Sequence, residues 1–383
     1  MASPRQSAGT REATNGDLVL SAVGMVSPVG ANATQTFTSV RANLSRKHEC
    51  PLVFECRAED PDSEPSEPLV ASAISHLTTS ERDQQQPVRW LAFLAAHAFS
   101  DLWENASFST EPNQSIGLYC SLPKDRPGFG VSNQPEFLSR FHDLVGKDAF
   151  AVEHFEFGHS GTALGLCEMA RAHLREGRIR HAIVGGADSY LFPQWLDPLD
   201  QNYRIKSARN LDGFCPGEAA AFFLLEEESQ ARQRGLVPWA TLAGASKTTR
   251  VASIAGHDAG EALANAIKPL LSDQASSPLL LCDLNGERDR FKEWGYALSR
   301  LSTRLTPPVA LEHPVMVLGD VGAATGAVLI ALGVRYLHTK YRERDHALIW
   351  CASDSGDRHA LLLRRHTPPT GGPFDLSGGN PCP

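Results

Sequence analysis

The sequence predicts an α/β protein built as two similar halves, each a sheet flanked by helices. Three observations predict it. Strand-like and helix-like runs alternate along most of the chain. The run Ala219–Glu226 (AAAFFLLE) is apolar up to its last residue, as in a strand covered on both faces. The order of elements in the first half also recurs in the second, which points to layered sheets and helices. The composition fits a packed domain. The chain has 383 residues, 42% hydrophobic and 21% charged, which excludes a disordered chain, a collagen-like repeat and a small disulfide scaffold. Its formal charge of −8 is the wrong sign for neutralising phosphates, so no nucleic-acid partner is expected.

The elements follow in order. Asp17–Val23 reads as a short apolar strand, and Val88–Trp103 has helical spacing with a wide apolar face. Ser115–Ser121 and Ala151–Phe157 read as strands. Gly161–Glu176 reads as a helix with Leu164, Met169 and Leu174 on its apolar positions, closed by Gly177. His181–Val184 is a strand running into the turn GGAD. In the second half, Pro238–Ser246, Pro278–Cys282 and Val315–Leu318 read as strands, with helices over Gly260–Leu271 and Glu287–Leu301. Val321–Leu337 is a helix dense in small residues, so it should pack closely. Ala347–Cys351 and Ala360–Arg364 close the fold as a strand pair. Residues 1–16 and 366–383 read as flexible tails, and Arg57–Pro68, acidic and Pro-rich, as a surface loop.

Several further classes are disfavoured. The eight cysteines form no CxxC pair, and no Cys/His group has zinc spacing, so neither metal nor cofactor is expected. Cys120, Cys167, Cys282 and Cys351 lie in apolar runs and read as buried, reduced side chains. The polar N-terminus lacks a secretory core, and no apolar run is long enough to span a membrane, so a cytoplasmic location is expected. Trp90, Trp103, Trp195 and Trp239 read as core or interface fillers. Arg171, Arg175, Arg178 and Arg180 read either as a solvated helix face or as a basic contact for an acidic carrier.

The chemistry centres on Gly158-His159-Ser160-Gly161-Thr162, between a strand and a helix. Free backbone N–H groups and the positive end of a helix dipole there favour a nucleophile and the oxyanion it makes. The plain alternative is that Ser160 caps the helix. Thr162 breaks a GxSxG pattern, which disfavours hydrolases of that type.

The wider pattern is GMVSPVG at 24–30, the Ser160 turn, GGAD at 185–188, DGF at 212–214, GEAA at 217–220 and GDVGAATG at 319–326. In this order the chain resembles the β-ketoacyl synthases of fatty-acid and polyketide assembly, in the thiolase-like superfamily, over roughly residues 17–365. The resemblance implies the family's duplicated αβαβα layered fold, with an N-terminal half over 17–236 and a C-terminal half over 237–365. It implies a homodimer or a heterodimer with a related synthase, and an acyl carrier protein or another protein as partner. It also implies an acyl-accepting cysteine and two histidines for decarboxylative condensation.

Here the catalytic positions are exchanged. The resemblance places Ser160 at the family's cysteine, Asn285 and Asp320 at its two histidines, and Val315 at its lysine. The loop Asp354–His359 takes the place of its Phe- and Gly-rich loop. A hydroxyl needs a positioned base where a thiol does not. Asn285 moves no proton, and an Asp320 carboxylate repels a malonyl carboxylate. The reading is a condensation-inactive synthase relative acting as a binding or scaffold partner, as chain-length-factor subunits do. The enzymatic alternative is an acyltransferase or esterase in which Ser160, His359 and Asp320 form a triad. Against it stand a solvated His359 and an Asp320 that caps the following helix. A third reading is a structural adaptor whose old acyl tunnel is filled by side chains.

Overall fold

A computed structural model describes residues 17–53, 68–77, 86–108, 115–124, 126–146, 150–207, 210–250, 260–271, 277–305, 307–341 and 343–366. The expected tails and the loop at 57–68 lie outside these residues, except for Pro68 and His366. The first half holds strands β1 (Leu18–Val26), β2 (Lys47–Val53), β3 (Pro68–Ser72), β4 (Ile116–Pro123), β5 (Val152–Gly158), β6 (His181–Ser189) and β7 (Glu218–Glu227). Its helices are α1 (Ala33–Arg41), α2 (Pro87–Ala106), α3 (Gln134–Val145), α4 (Thr162–Arg175), α5 (Pro193–Gln201) and α6 (Glu228–Gln233). The second half holds β8 (Ala240–Thr249), β9 (Leu279–Cys282), β10 (Leu311–Glu312), β11 (His346–Ala352) and β12 (Asp357–Arg365). Its helices are α7 (Glu261–Ile267), α8 (Arg288–Leu301), α9 (Val315–Leu318) and α10 (Thr325–His338).

The duplication inferred from element order is explicit in the sheet. Its order is β10-β9-β11-β12-β8-β1-β7-β6-β4-β5. In the first half β5, β4 and β6 run parallel, with β7 and β1 added antiparallel. In the second half β10, β9 and β11 run parallel, with β12 and β8 added antiparallel. The two halves therefore have the same strand plan.

They are not the two separate sheets that the sequence suggests. Val19 and Leu20 of β1 pair with Thr241 and Ala240 of β8, joining both halves into one ten-stranded sheet. This seam involves only two residues on each strand, too local a feature for an apolar pattern to announce.

Five layers result. Helices α4 and α10 form the middle one, and their apolar side chains share a core with inner-face residues of both halves, from Val23 and Val184 to Leu281 and Ile349. The dense small-residue helix expected over Val321–Leu337 is this buried α10, entered through a 3₁₀ turn at Gly322–Ala324. Helices α2 and α3 cover the outer face of the first half through Trp90, Phe99, Phe137 and Phe141. Helices α7 and α8 cover the second half, where Trp294 stacks on Trp350 with ring centroids 5.0 Å apart.

Two local expectations change. Val315–Leu318 is a short helix rather than a strand, because four apolar residues carry no period and Pro314 stands at its start. The strand at this edge is the two-residue β10 just before it. The sequence reading also passed over α1, the β2–β3 pair, α3 and α5. GGAD at 185–188, read as a turn, instead continues β6, and its glycines are set by close packing. A Cβ at Gly185 would lie 2.1 Å from the Phe222 ring, and one at Gly186 would lie 2.9 Å from the Ala323 carbonyl. Cys120, Cys167, Cys282 and Cys351 are free and buried, as expected.

Candidate active site

The chain leaves β5 and enters α4 through Gly158-His159-Ser160-Gly161. In the duplicated plan, β10 leads through α9 and then Gly319-Asp320-Val321 into α10. The two loops meet, and the Gly326 amide donates to the Ser160 carbonyl at 2.9 Å. A Cβ at Gly326 would fall 2.7 Å from that carbonyl, so glycine permits the approach. Both loops lie beside the C-terminal ends of parallel strands, where open α/β folds gather their sites.

Ser160 does not cap its helix. Its hydroxyl donates to Asp283 Oδ2 at 2.7 Å, while Thr162 Oγ1 accepts from the His159 amide at 2.8 Å and closes the turn. Asp283 follows β9. Its Oδ2 also accepts from the Ala352 amide at 2.9 Å and from Arg290 Nη1 at 3.2 Å. Burial pushes the Asp283 carboxyl above the usual range, opposed by Arg290, Ser160 and Ala352.

A lattice of ion pairs surrounds this centre. Arg290 Nε reaches Glu287 at 3.0 Å and Nη2 reaches Asp354 at 3.1 Å. Arg204, from the first half, holds Glu287 through Nε and Nη2 at 2.7 and 2.9 Å, and Asp354 through Nη1 at 2.6 Å. Burial acts to raise the carboxyls of Glu287 and Asp354, but these arginines outweigh it and hold both below the usual range.

Asn285 and Asp320 stand together beside this lattice. Asn285 Nδ2 donates to Asp320 Oδ2 at 2.7 Å and to Glu287 Oε2 at 2.9 Å. Asp320 Oδ1 accepts from the Gly322 amide at 2.9 Å, so it anchors the turn leading into α10, close to the capping role foreseen for it. Ser160, Asp283 and Asp320 line one cavity of about 180 Å³, together with His159, Tyr190 and Lys124.

His359 does not join them. It lies in β12, not in a solvated loop, and is buried, with its ring against Gly161: a Cβ there would meet its Cδ2 at 2.6 Å. It does not line the cavity and makes no hydrogen bond to Ser160 among the described residues. Burial, assisted by Lys247, pushes its pKa down to about 4 against the pull of Asp357. Ser160, His359 and Asp320 are therefore not assembled as a triad. His159 shares the Ser160 cavity, and burial lowers its pKa too.

Sequence reading missed Asp283, Arg290 and Arg204, and named Asp354 only as the start of a loop. The one available signal was a charged residue directly after the apolar run LLLC. Which cation would meet it depends on α8 and on a loop of the other half.

The rim predicts controlled access. Arg204 and Asp354 keep 29% and 55% of their side chains exposed, and such pairs are worth only about 0–1 kcal/mol. In a Ser160→Cys variant, carbamidomethylation of residue 160 by iodoacetamide, read by peptide mass, should speed up several-fold on adding Arg204→Ala or raising salt. Equal rates in all three conditions would mean that the ion pairs do not cover the site.

The fold and site define an α/β protein of thiolase type, with two pseudo-equivalent halves and a polar centre where the central helices begin. Comparison with known proteins agrees. A family model described as the β-ketoacyl synthase N-terminal domain matches residues 160–231. A putative polyketide β-ketoacyl synthase from Streptomyces virginiae is 31% identical over 118 residues, spanning 27% of this chain and 28% of that protein.

Among solved structures, a type II polyketide ketosynthase in complex with its acyl-carrier protein aligns over 92% of this chain and 100% of its own. Its TM-score is 0.72 at 14% identity. A β-ketoacyl synthase from Burkholderia phymatum aligns over the same shares, with a TM-score of 0.71 at 12% identity. The ishigamide ketosynthase/chain length factor aligns over 92% and 100%, with a TM-score of 0.66 at 17% identity. At these identities the structures establish the fold. In sequence the chain is similar to β-ketoacyl synthases over part of its length, and in fold over about nine-tenths of it.

Proposed function

We propose that this protein has lost decarboxylative condensation and works as a binding or scaffold subunit in fatty-acid or polyketide-type metabolism. The observation that carries the reading is the Ser160–Asp283 hydrogen bond of 2.7 Å. The hydroxyl is engaged by a carboxylate that Arg290 and the Ala352 amide also hold, with no imidazole bonded to it among the described residues. A carboxylate so occupied is a poor base for an alcohol. Asn285 and Asp320 bond to each other, so they offer no pair of donors to a thioester carbonyl.

The partner surfaces follow from the fold. β5 ends the sheet and pairs only with β4 among the described residues, so its outer backbone edge is a template for another strand. A second copy or a related synthase extending the sheet there accounts for an open edge that ends two residues before Ser160. Arg175, Arg178 and Arg180 are exposed at the end of α4 and would meet an acidic carrier, although Arg178 also faces Glu176 at 3.7 Å. No described helix is long and apolar enough to cross a membrane. With five free buried cysteines among the described residues, a reducing cytoplasmic setting fits.

The test is direct. Supplied with primed and malonyl-loaded acyl carrier protein, the purified protein should release no carbon dioxide and form no elongated product by mass. Ser160→Ala should give the same trace. Elongation that Ser160→Ala abolishes would overturn the proposal.

A further inference from the structure

The ten-stranded sheet ends differently on its two sides. On one, β10 is only two residues long, and its Glu312 is held by Lys340 at 2.6 Å and by Tyr341. On the other, β5 runs for seven residues in unbroken register on β4, without proline or bulge. A short, charged edge resists another strand, and a long regular one invites it. Every residue of β4 is buried, yet Val152 and Phe157 of β5 are only half-buried. The Ala151 amide donates to the Ile116 carbonyl at 2.8 Å. By alternation, residues 153, 155 and 157 also turn their backbone groups toward β4, and those of Val152, His154 and Glu156 face outward.

The side chains of this edge select its partner. Two copies of one strand related by a two-fold axis pair antiparallel, with one residue opposite itself. Centring on Glu153 or Glu156 would set two carboxylates face to face. Centring on His154 would oppose two imidazoles and put Glu156 against Val152, and centring on Phe157 leaves most of the strand unpaired. Centring on Phe155 sets His154 of each copy opposite Glu156 of the other, through the backbone groups that face outward. Phe155 then meets Phe155 on the other face. An imidazole N–H opposite a carboxylate is a favourable cross-strand pair. Both groups are free for it: His154 and Glu156 make no hydrogen bond or ion pair among the described residues, whereas Glu153 is held by His142 at 2.9 Å.

We propose that β5 pairs antiparallel with β5 of a second copy of this chain, centred on Phe155, with His154 opposite Glu156 in both directions. The inference rests on the reading of this edge as a partner surface and names the partner as this chain itself, rather than a related synthase.

Light scattering over a concentration series should give the parent twice the mass of one chain. When His154→Cys and Glu156→Cys chains are co-expressed and mildly oxidised, residues 154 and 156 of different chains should join as a mixed disulfide. Peptide mass should find it several-fold above any cross-link in either variant alone, since opposed Cα atoms about 5.5 Å apart suit that bond. His154→Glu should weaken the dimer about tenfold, because symmetry counts each lost pair twice. Adding Glu156→Lys should restore it by setting opposite charges face to face again. Three results would each overturn the proposal: a monomeric parent, a mixture that cross-links no more than the single variants, or a double variant as weak as His154→Glu. The condensation assay reads the other proposal separately, because a dimer that elongates would overturn the loss of condensation and leave this interface standing.

Discussion

Asp283→Ala should destabilise the protein by about 3–5 kcal/mol, the range for removing one partner of a buried ion pair. Ser160→Ala should cost about 2 kcal/mol, one hydrogen bond to a charged group. Asp283 ties the end of β9 to β11 through the Ala352 amide, to α8 through Arg290, and to the α4 loop through Ser160. Its loss leaves Arg290, 14% exposed, facing two apolar strand ends with one counter-ion fewer. Removing the serine hydroxyl leaves those other two bonds in place. Urea midpoints at constant m-value measure both costs. A Ser160→Ala variant as stable as the parent would contradict the structural role given to this hydroxyl. It would return the residue to the pattern expected of a nucleophile, whose groups are spared from holding the fold.

Acidification supplies the second large effect. His359 is buried and neutral, with a folded pKa of about 4 against 6.5 for a free imidazole. Between those values the unfolded chain binds a proton that the folded chain refuses, so stability rises with pH. The contribution is complete above pH 6.5 and drains away as pH falls through 4. Its full size is about 3 kcal/mol. Chemical unfolding at pH 7 and pH 4.5 should show the parent losing much of this. His359→Gln, similar in size and without a titrating group, should lose correspondingly less over the same interval. Parallel losses in both proteins would mean that His359 is charged in the fold, and so better solvated than its packing against Gly161 implies.

Much of the fold was legible because its signals are local. The run AAAFFLLE is β7, and the helix over Gly161–Glu176 is α4. In both, the pattern of apolar residues follows directly from burial on two faces or on one stripe. The short helix at Val315–Leu318 was not legible, since four apolar residues fit either period. Nor was the β1–β8 seam, which is made by backbone groups that every residue carries. At the site, Ser160, Asn285 and Asp320 were found from the resemblance, and the structure brings all three to one place. His359 was found by the same route but packs behind the α4 loop. A strand's register decides which way its side chains point, and nothing in the loop sequence announced that register.

The sequence by itself indicated the alternation of strands and helices and its repetition, through residue types and their spacing. The resemblance placed an alcohol, Ser160, at the position where it implies a thiol. Only the tertiary structure decided what the alcohol touches. Asp283 and Arg290 come from the end of β9 and from α8, Arg204 from a loop of the other half and Asp354 from the β11–β12 turn, and the last two are 64 or more residues from the first pair. A hydrogen bond depends on tenths of an ångström and on angle, so the partner of Ser160 was settled by how the two halves close on each other.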